Sequence, residues 1–345
     1  MNTAAPEVPV PSATELHAAA TVVDGSTVIE LSEAHLDRIR RGGVTAVNHT
    51  VTTPYVDTVT GLRQVNECRR WIDDHADAAL LALTVADIER AKAEGKEAVI
   101  LGPQDTEMIG VDLDLLGTFY DLGVRILQLT YQRQNLLGAG CGENVDPGLT
   151  HKGRRFVQAM NDLGIVVDVS HCGERTGLDA MEVSATPVVV THSFCDAVSP
   201  HLRAKSDGFL RSLAAQGGVI GITTLSGFLY YPEDPTRRPD LRRFVEHVAH
   251  VVEVTGIDHV AIATDYDETL TEAMRAEQLK DREFKNLLGD WKWEERRAIG
   301  MDDASQFPNF TEALLAGGFS PADVTKILGG NWLRVLGEAW KPADR

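Results

Sequence analysis

The sequence predicts an α/β chain folded as a (β/α)8 TIM barrel of the metal-dependent hydrolase type. Three observations carry this expectation. Short apolar β-runs alternate with amphipathic helical stretches almost to the chain end, the pattern of a parallel sheet. Eight or nine such units fit within 345 residues, which favours a closed ring over an open sheet. Several apolar runs end in polar clusters, and a barrel's C-terminal strand ends face substrate. A doubly wound sheet lacks its usual signal here, because no GxGxxG follows the first strand.

The predicted strands are Thr21–Asp24, Val44–Asn48, Leu80–Leu83, Ala98–Leu101, Arg125–Leu129, Val166–Val169, Val188–Thr191, Val219–Ile222 and His259–Ala263. Each is short, apolar and rich in β-branched residues. Between them, helical spacing of apolar residues predicts helices over Glu33–Arg41, Leu62–His75, Ala86–Glu94 and Leu113–Leu122. The same spacing continues over Arg154–Leu163, Arg175–Glu182, Asp207–Ala215 and Leu241–Thr255. Gly42-Gly43, Gly95, Gly123, Gly164 and Gly256 follow helical stretches as C-caps. Ser320-Pro321-Ala322-Asp323 reads as a capped helix start, and Gly329-Gly330-Asn331 as a turn into a last helix, Trp332–Trp340. Residues 1–18 are expected to form a flexible leader. The charged segment 268–303, which carries Trp291 and Trp293, breaks the rhythm and reads as a rim insertion, a lid or a subunit contact. No repeat or linker divides the chain, so one barrel domain over 1–345 is expected.

Composition narrows the function. The chain is 43% hydrophobic, enough for a large core, and its net charge of −18 disfavours binding to phosphate backbones. No apolar stretch of about 18 residues suggests a membrane span. The N-terminus lacks a basic region followed by an apolar one, so a cytoplasmic setting is expected. Cys68, Cys141, Cys172 and Cys195 form no CxxC pair, which fits a reduced compartment. Cys172 and Cys195 follow histidines closely; a small buried residue is the simpler reading of each than a thiol ligand.

Chemistry concentrates at three strand ends. His171 closes the run Ile165-Val166-Val167-Asp168-Val169-Ser170, and His192 closes Pro187-Val188-Val189-Val190-Thr191. Asp265 follows His259–Thr264. Two imidazoles and a carboxylate on one rim suit metal-assisted hydrolysis, with Asp265 holding a water and moving its proton. The plainer alternatives are hydrogen-bonded structural histidines and a turn aspartate; Asp267 reads as the latter. Arg203, in the loop after the His192 strand, is placed to clamp a substrate carboxylate, or else forms a surface ion pair. The glycine-rich loop Thr130–Glu143, with Tyr131 and Asn135, is expected to shape a substrate pocket.

These residues resemble the membrane (renal) dipeptidase family of metallopeptidases, peptidase family M19 of the amidohydrolase superfamily. The resemblance runs from Val22-Val23-Asp24-Gly25 to Gly329-Gly330-Asn331-Trp332. Its specific pieces are Asp168-Val169-Ser170-His171, Thr191-His192-Ser193, Arg203 and Ala263-Thr264-Asp265-Tyr266-Asp267; Gly148–Gly164 adds to it. It implies a (β/α)8 barrel, often dimeric, with a two-zinc site that hydrolyses dipeptides. The departures are specific. The family's first strand ends in a zinc-binding His-x-Asp; here Ser26 and Val28 stand there. The family's bridging glutamate is Gln104, and its substrate-side histidine is Tyr131. A neutral amide is a poor bridge between cations. The expectation is therefore a hydrolase of a dipeptide-like or other small amide or carboxylate substrate with an atypical single-metal site. One zinc would sit on His171 and His192, with Gln104 or Asp265 completing its shell; Asp105, Glu107, Glu143, His49 and His151 are weaker substitutes. Arg203, Tyr131 and Asn135 would bind substrate. A small-molecule substrate and a homodimer are expected, and neither nucleic acid nor membrane. The alternatives are a lyase, decarboxylase or isomerase on the same barrel, or a catalytically inactive ligand-binding homologue.

Overall fold

The structure is a computed structural model that describes residues 11–28, 30–267, 271–273, 276 and 293–341. Among the described residues nine short strands form, one for each apolar run. β1 (Val23–Thr27), β2 (Ala46–His49), β3 (Ala79–Leu81) and β4 (Glu97–Leu101) make a parallel sheet of order β1-β2-β4-β3. β5 (Ile126–Gln128), β6 (Val166–Asp168), β7 (Val189–Ser193), β8 (Val219–Ile222) and β9 (Val260–Ile262) make a second parallel sheet in chain order. Parallel bridges Leu101–Val124 and Thr27–Tyr266 join the two sheets at both sides. Eight strands thus run round as β1-β2-β4-β5-β6-β7-β8-β9, and β3 flanks the foot of β4. Helices cover the outside. They begin at hydroxyl or carboxylate caps such as Ser32, Thr84, Thr150 and Ser206, and several end at left-handed glycines such as Gly43, Gly95 and Gly164.

Alternation along the strands separates two cores. Val23, Ala46, Ala98, Ile100, Ile126, Val166, Val189, Val219 and Ala261 fill the barrel, while Val47, Val99, Leu127, Val167, Val190 and Ile220 face the helices. The barrel core continues into Trp332, Val335, Leu336, Ala339 and Trp340 of the last helix, Asn331–Ala339, and the residue after it. This helix therefore closes one end of the barrel. Trp332 donates its indole N–H to Ile262 O at 3.0 Å, and Asn331 Nδ2 donates to Ile257 O and Val260 O, both at 2.8 Å. Room for the indole comes from two glycines. A Cβ on Gly25 would lie 2.5 Å from the Trp332 ring, and one on Gly221 would lie 2.3 Å from Thr191 O.

Three sequence expectations need correction. Residues 13–18 are not a flexible leader: Ala13–Ala19 is a helix opened by a Ser12/Glu15 capping box. Its His17 is buried between Thr311 Oγ1 and Gly42 O, both at 2.8 Å, which pins the segment. The Ser-x-x-Glu signature of that cap stood in the sequence. Gly329-Gly330 does not turn the chain. Lys326–Gly330 is a π-helical turn that continues Pro321–Thr325 into the last helix, and a Cβ on Gly329 would meet Thr21 O at 2.1 Å. A helix at Pro308–Ala316 was also not anticipated. Most of the expected rim insertion, with Trp291 and the side chain of Trp293, lies outside the described residues. Its end is in place, where Arg297 bridges Leu225 and Ile299 bridges Asp240.

If the last helix is an integral part of the barrel core, Trp332→Ala is expected to cost about 3–5 kcal/mol. Urea unfolding followed by tryptophan-independent circular dichroism measures it; a loss below about 1 kcal/mol would show that the plug is peripheral.

Candidate active site

The site begins with a buried carboxylate. Asp168 ends β6 and accepts four hydrogen bonds: from Ser170 N at 2.9 Å, Ser170 Oγ at 2.6 Å, Thr191 N at 3.0 Å and Thr191 Oγ1 at 2.7 Å. Burial pushes its pKa up and the hydrogen bonds oppose that. With Asp168 ionised, both hydroxyl protons are committed to it. Thr191 Oγ1 can then only accept from His192 Nδ1, 2.9 Å away. His192 accordingly carries its proton on Nδ1 and presents a lone pair at Nε2.

That lone pair faces the second histidine. His171 Nε2 lies 2.9 Å from His192 Nε2, and both rings are buried. Burial, and then the Arg203 cation, holds both imidazoles well below their ordinary pKa, so they are neutral. Tyr131 stacks on His171 with ring centroids 4.2 Å apart, burying its outer face. Burial and the nearby Asp265 charge raise the Tyr131 hydroxyl, which keeps it protonated.

Arg203 is 1% exposed, far from the surface ion pair considered above. Its terminal nitrogens donate to Ser170 O and to His192 O, tying the two histidine-bearing strand ends together. In this structure the guanidinium is thus engaged with main chain rather than open to a substrate carboxylate. Lys205 lies beside it and donates to Val169 O at 3.1 Å and Cys172 O at 3.3 Å. Burial, then Arg203, pulls its ammonium down to about 8. Lys205 went unrecognised in the sequence, where Arg203-Ala204-Lys205 looks like surface charge.

Asp265 stands across the rim, half-buried, with burial raising its carboxyl to about 7 against the pull of Arg203. Its main-chain N–H donates to Ser26 O at 2.9 Å. Gln104 lies on the same side as Ser26: its Nε2 donates to Ser26 Oγ at 3.2 Å and Thr50 Oγ1 at 2.8 Å. Asn135 does not join the group. Its amide is spent on Thr106 Oγ1, Leu129 O and the N–H groups of Leu137 and Gly138, so it braces its own loop.

Backbone strain marks the same place. Among the described residues, three besides glycine have left-handed φ: Tyr55 at 64°, Gln132 at 58° and Asp265 at 53°. Asp265 is the carboxylate just described, Gln132 follows Tyr131, and the Tyr55 hydroxyl donates to Tyr131 O at 2.5 Å. Each such residue costs roughly 1–3 kcal/mol and persists where the surroundings over-determine it, which is common at functional sites.

The donors decide what metal this rim fits. On the resemblance described above, Ser26, Val28 and Gln104 stand where charged or imidazole donors would be expected, and a hydroxyl, an apolar side chain and a neutral amide are poor donors to a divalent ion. Among the described residues no three of His, Cys, Asp and Glu gather as a cation site. A two-metal centre therefore does not fit. In the hydrogen-bonded pair, His171 Nε2–H donates to the His192 Nε2 lone pair; moving the His171 proton to its unpartnered Nδ1 would leave the two facing Nε2 atoms as two donors to a single ion.

Comparison with known proteins agrees with this architecture. The model of the membrane dipeptidase family (peptidase family M19) matches residues 21–288 and 286–345. Dipeptidase tcpJ of Claviceps purpurea (strain 20.1) is 30% identical over 278 residues, covering 80% of this chain but 59% of that protein. A crystal structure described as an amidohydrolase from Pseudomonas aeruginosa is 31% identical and superposes with a TM-score of 0.88 over 96% of this chain and 99% of its own. A metallo peptidase from Rhodobacter sphaeroides, liganded with a phosphinate mimic of the dipeptide L-Ala-D-Ala, shares the fold at 22% identity, with a TM-score of 0.76 over 93% of this chain and 99% of its own. With the family model matching nearly its whole length, the chain belongs to the membrane dipeptidase family, peptidase family M19.

Proposed function

We propose that this hydrolase cleaves a dipeptide-like or other small amide substrate bearing a carboxylate, using one divalent ion rather than two. The observation that carries this reading is the pair of neutral imidazoles with Nε2 atoms face to face at 2.9 Å, on the rim that also bears Asp265. His171 and His192 would hold the ion, and zinc suits two imidazoles. When bound, it would supply Lewis-acid polarisation of the scissile carbonyl and a more acidic attacking water.

The chain's own groups supply the rest. Asp265, with a carboxyl at about 7, is poised to take a proton from water and return it to the leaving amine. Tyr131, protonated and packed on His171, offers a hydroxyl donor beside the reacting carbonyl. Arg203 and Lys205 put two positive charges beneath the histidines, a field that favours an anionic substrate and a developing oxyanion. Because Arg203 also holds the Ser170 and His192 carbonyls, its shape matters as much as its charge. Lysine cannot reach two carbonyls in a fixed fork.

Three outcomes test this reading. Protein purified without chelator is expected to carry about one zinc or similar ion per chain by elemental analysis, in line with the single facing imidazole pair. A His171→Ala/His192→Ala variant should carry none; retention of the ion there would remove the pair from the site. In a dipeptide screen, Asp265→Asn is expected to lower kcat by about 10²–10⁴-fold with KM little changed. The pH profile of kcat/KM should follow the same carboxyl. Its base form is needed first, so the rate should rise with pH through about 7, and that limb should vanish in Asp265→Asn. An acid limb unmoved by the substitution would assign the proton transfer elsewhere. Arg203→Lys is expected to lower kcat/KM at least tenfold while the protein still folds, which thermal unfolding would confirm.

A further inference from the structure

Opposite the histidine pair, the rim is built from neutral groups that satisfy one another. Gln104 is 5% exposed and held from three strands. Its Nε2 donates to Ser26 Oγ on β1 and to Thr50 Oγ1 just past β2, and its main-chain oxygen accepts from Gln128 Nε2 of β5 at 2.5 Å. Beneath it, Asn48 Nδ2 donates to Gly25 O at 2.9 Å. Gly102 makes room for that amide, since a Cβ there would come 1.8 Å from Asn48 Oδ1. Two carboxylates on this side of the barrel are already engaged: Asp24 by Ser26 N at 3.3 Å, Thr264 N at 2.7 Å and Thr264 Oγ1 at 2.5 Å, and Asp105, next to Gln104, by Tyr55 N at 2.8 Å and Glu107 N at 3.0 Å. A divalent cation placed among Ser26, Thr50 and Gln104 would meet hydroxyl and amide groups, and of the charged groups among the described residues only the Asp265 carboxylate, whose own N–H is bonded to Ser26 O, would stand near enough to offset part of its charge. Stripping its water there would cost more than those oxygens return.

Ser26, Val28 and Gln104 occupy the three positions at which the resembling family provides donors to its other ion. We propose that Ser26, Thr50 and Gln104 form a hydrogen-bonded clamp that stands in place of that ion, bracing β1, β2, β4 and β5 without metal. The consequence is a chain with capacity for one ion at most, held on the β6–β7 side alone. The inference concerns this side of the rim and survives if the proposed ion on the histidine pair does not.

The test is a zinc titration of the metal-free, full-length chain by calorimetry, with elemental analysis after gel filtration. The wild type should saturate at no more than one equivalent. Gln104→Glu alone should not raise this, because Ser26 and Val28 still offer no donors. The triple variant Ser26→His/Val28→Asp/Gln104→Glu should take one equivalent more than the wild type. Two equivalents in the wild type, or no gain in a triple variant that unfolds with native cooperativity, overturns the clamp. A wild type that binds none beside a triple variant that binds one supports the clamp and rejects the single-ion reading above. Bracing is read separately. In chelator-treated protein, Gln104→Leu should lower Tm by about 2–4 °C or more; an unchanged Tm would show that the amide braces nothing.

Discussion

Closure of the barrel rests on one buried carboxylate. Asp24 on β1 binds the main-chain N–H and hydroxyl of Thr264, just past β9, at 2.7 and 2.5 Å. Strands as short as three residues make few ladder bonds, so this side-chain pairing reinforces the main-chain bonds from Val28 N to Tyr266 O and from Asp265 N to Ser26 O across the seam. Burial raises the Asp24 carboxyl to about 7, and the three donors around it are what make the group tolerable there. The same contact fixes the active face. Thr264 sits next to Asp265, and Asp265 N–H returns to Ser26 O, so the seam sets the candidate acid–base residue against the Ser26–Gln104 clamp.

Asp168 repeats the device across the barrel. It gathers Ser170 and Thr191 by four hydrogen bonds, and through Thr191 it orients His192. Two buried carboxylates, each saturated by hydroxyls and main chain, therefore hold the two halves of the rim. Between them lie Arg203 and Lys205, which grip four carbonyls at or next to the ends of β6 and β7. The cations carry a structural load and set the local field together. Their removal would loosen the histidines as well as discharge the site.

The strained residues Tyr55, Gln132 and Asp265 are tied to the groups around the histidine pair. Tyrosine in the left-handed region is disfavoured by its Cβ, so its surroundings must hold it there. Tyr55 is held by Asp105, which accepts its N–H at 2.8 Å, and by its own hydroxyl on Tyr131 O. These contacts position the Tyr131 ring over His171. Residues far apart in the chain, on loops after β2, β4 and β5, thus meet at His171.

Much of the fold was legible in the sequence, because the period of two in the strands and near four in the helices is a local consequence of burial on one face. All nine apolar runs became strands, and His171, His192 and Asp265 fell at strand ends, as their place after apolar runs implied. Local pattern failed where partners were distant. His17 needs Thr311 and Gly42 to be ordered, and Gly329 is tolerated in a helix because Thr21 O leaves no room for a Cβ. Lys205 went unread, and the main-chain carbonyls that Arg203 holds could not be read from its own loop. By itself, the sequence determined the strand and helix periods and the family. Only the tertiary structure decided the tautomer of His192, the inward turn of Arg203 and the Ser26–Thr50–Gln104 clamp, because each depends on hydrogen-bond partners that the closed ring alone brings within reach.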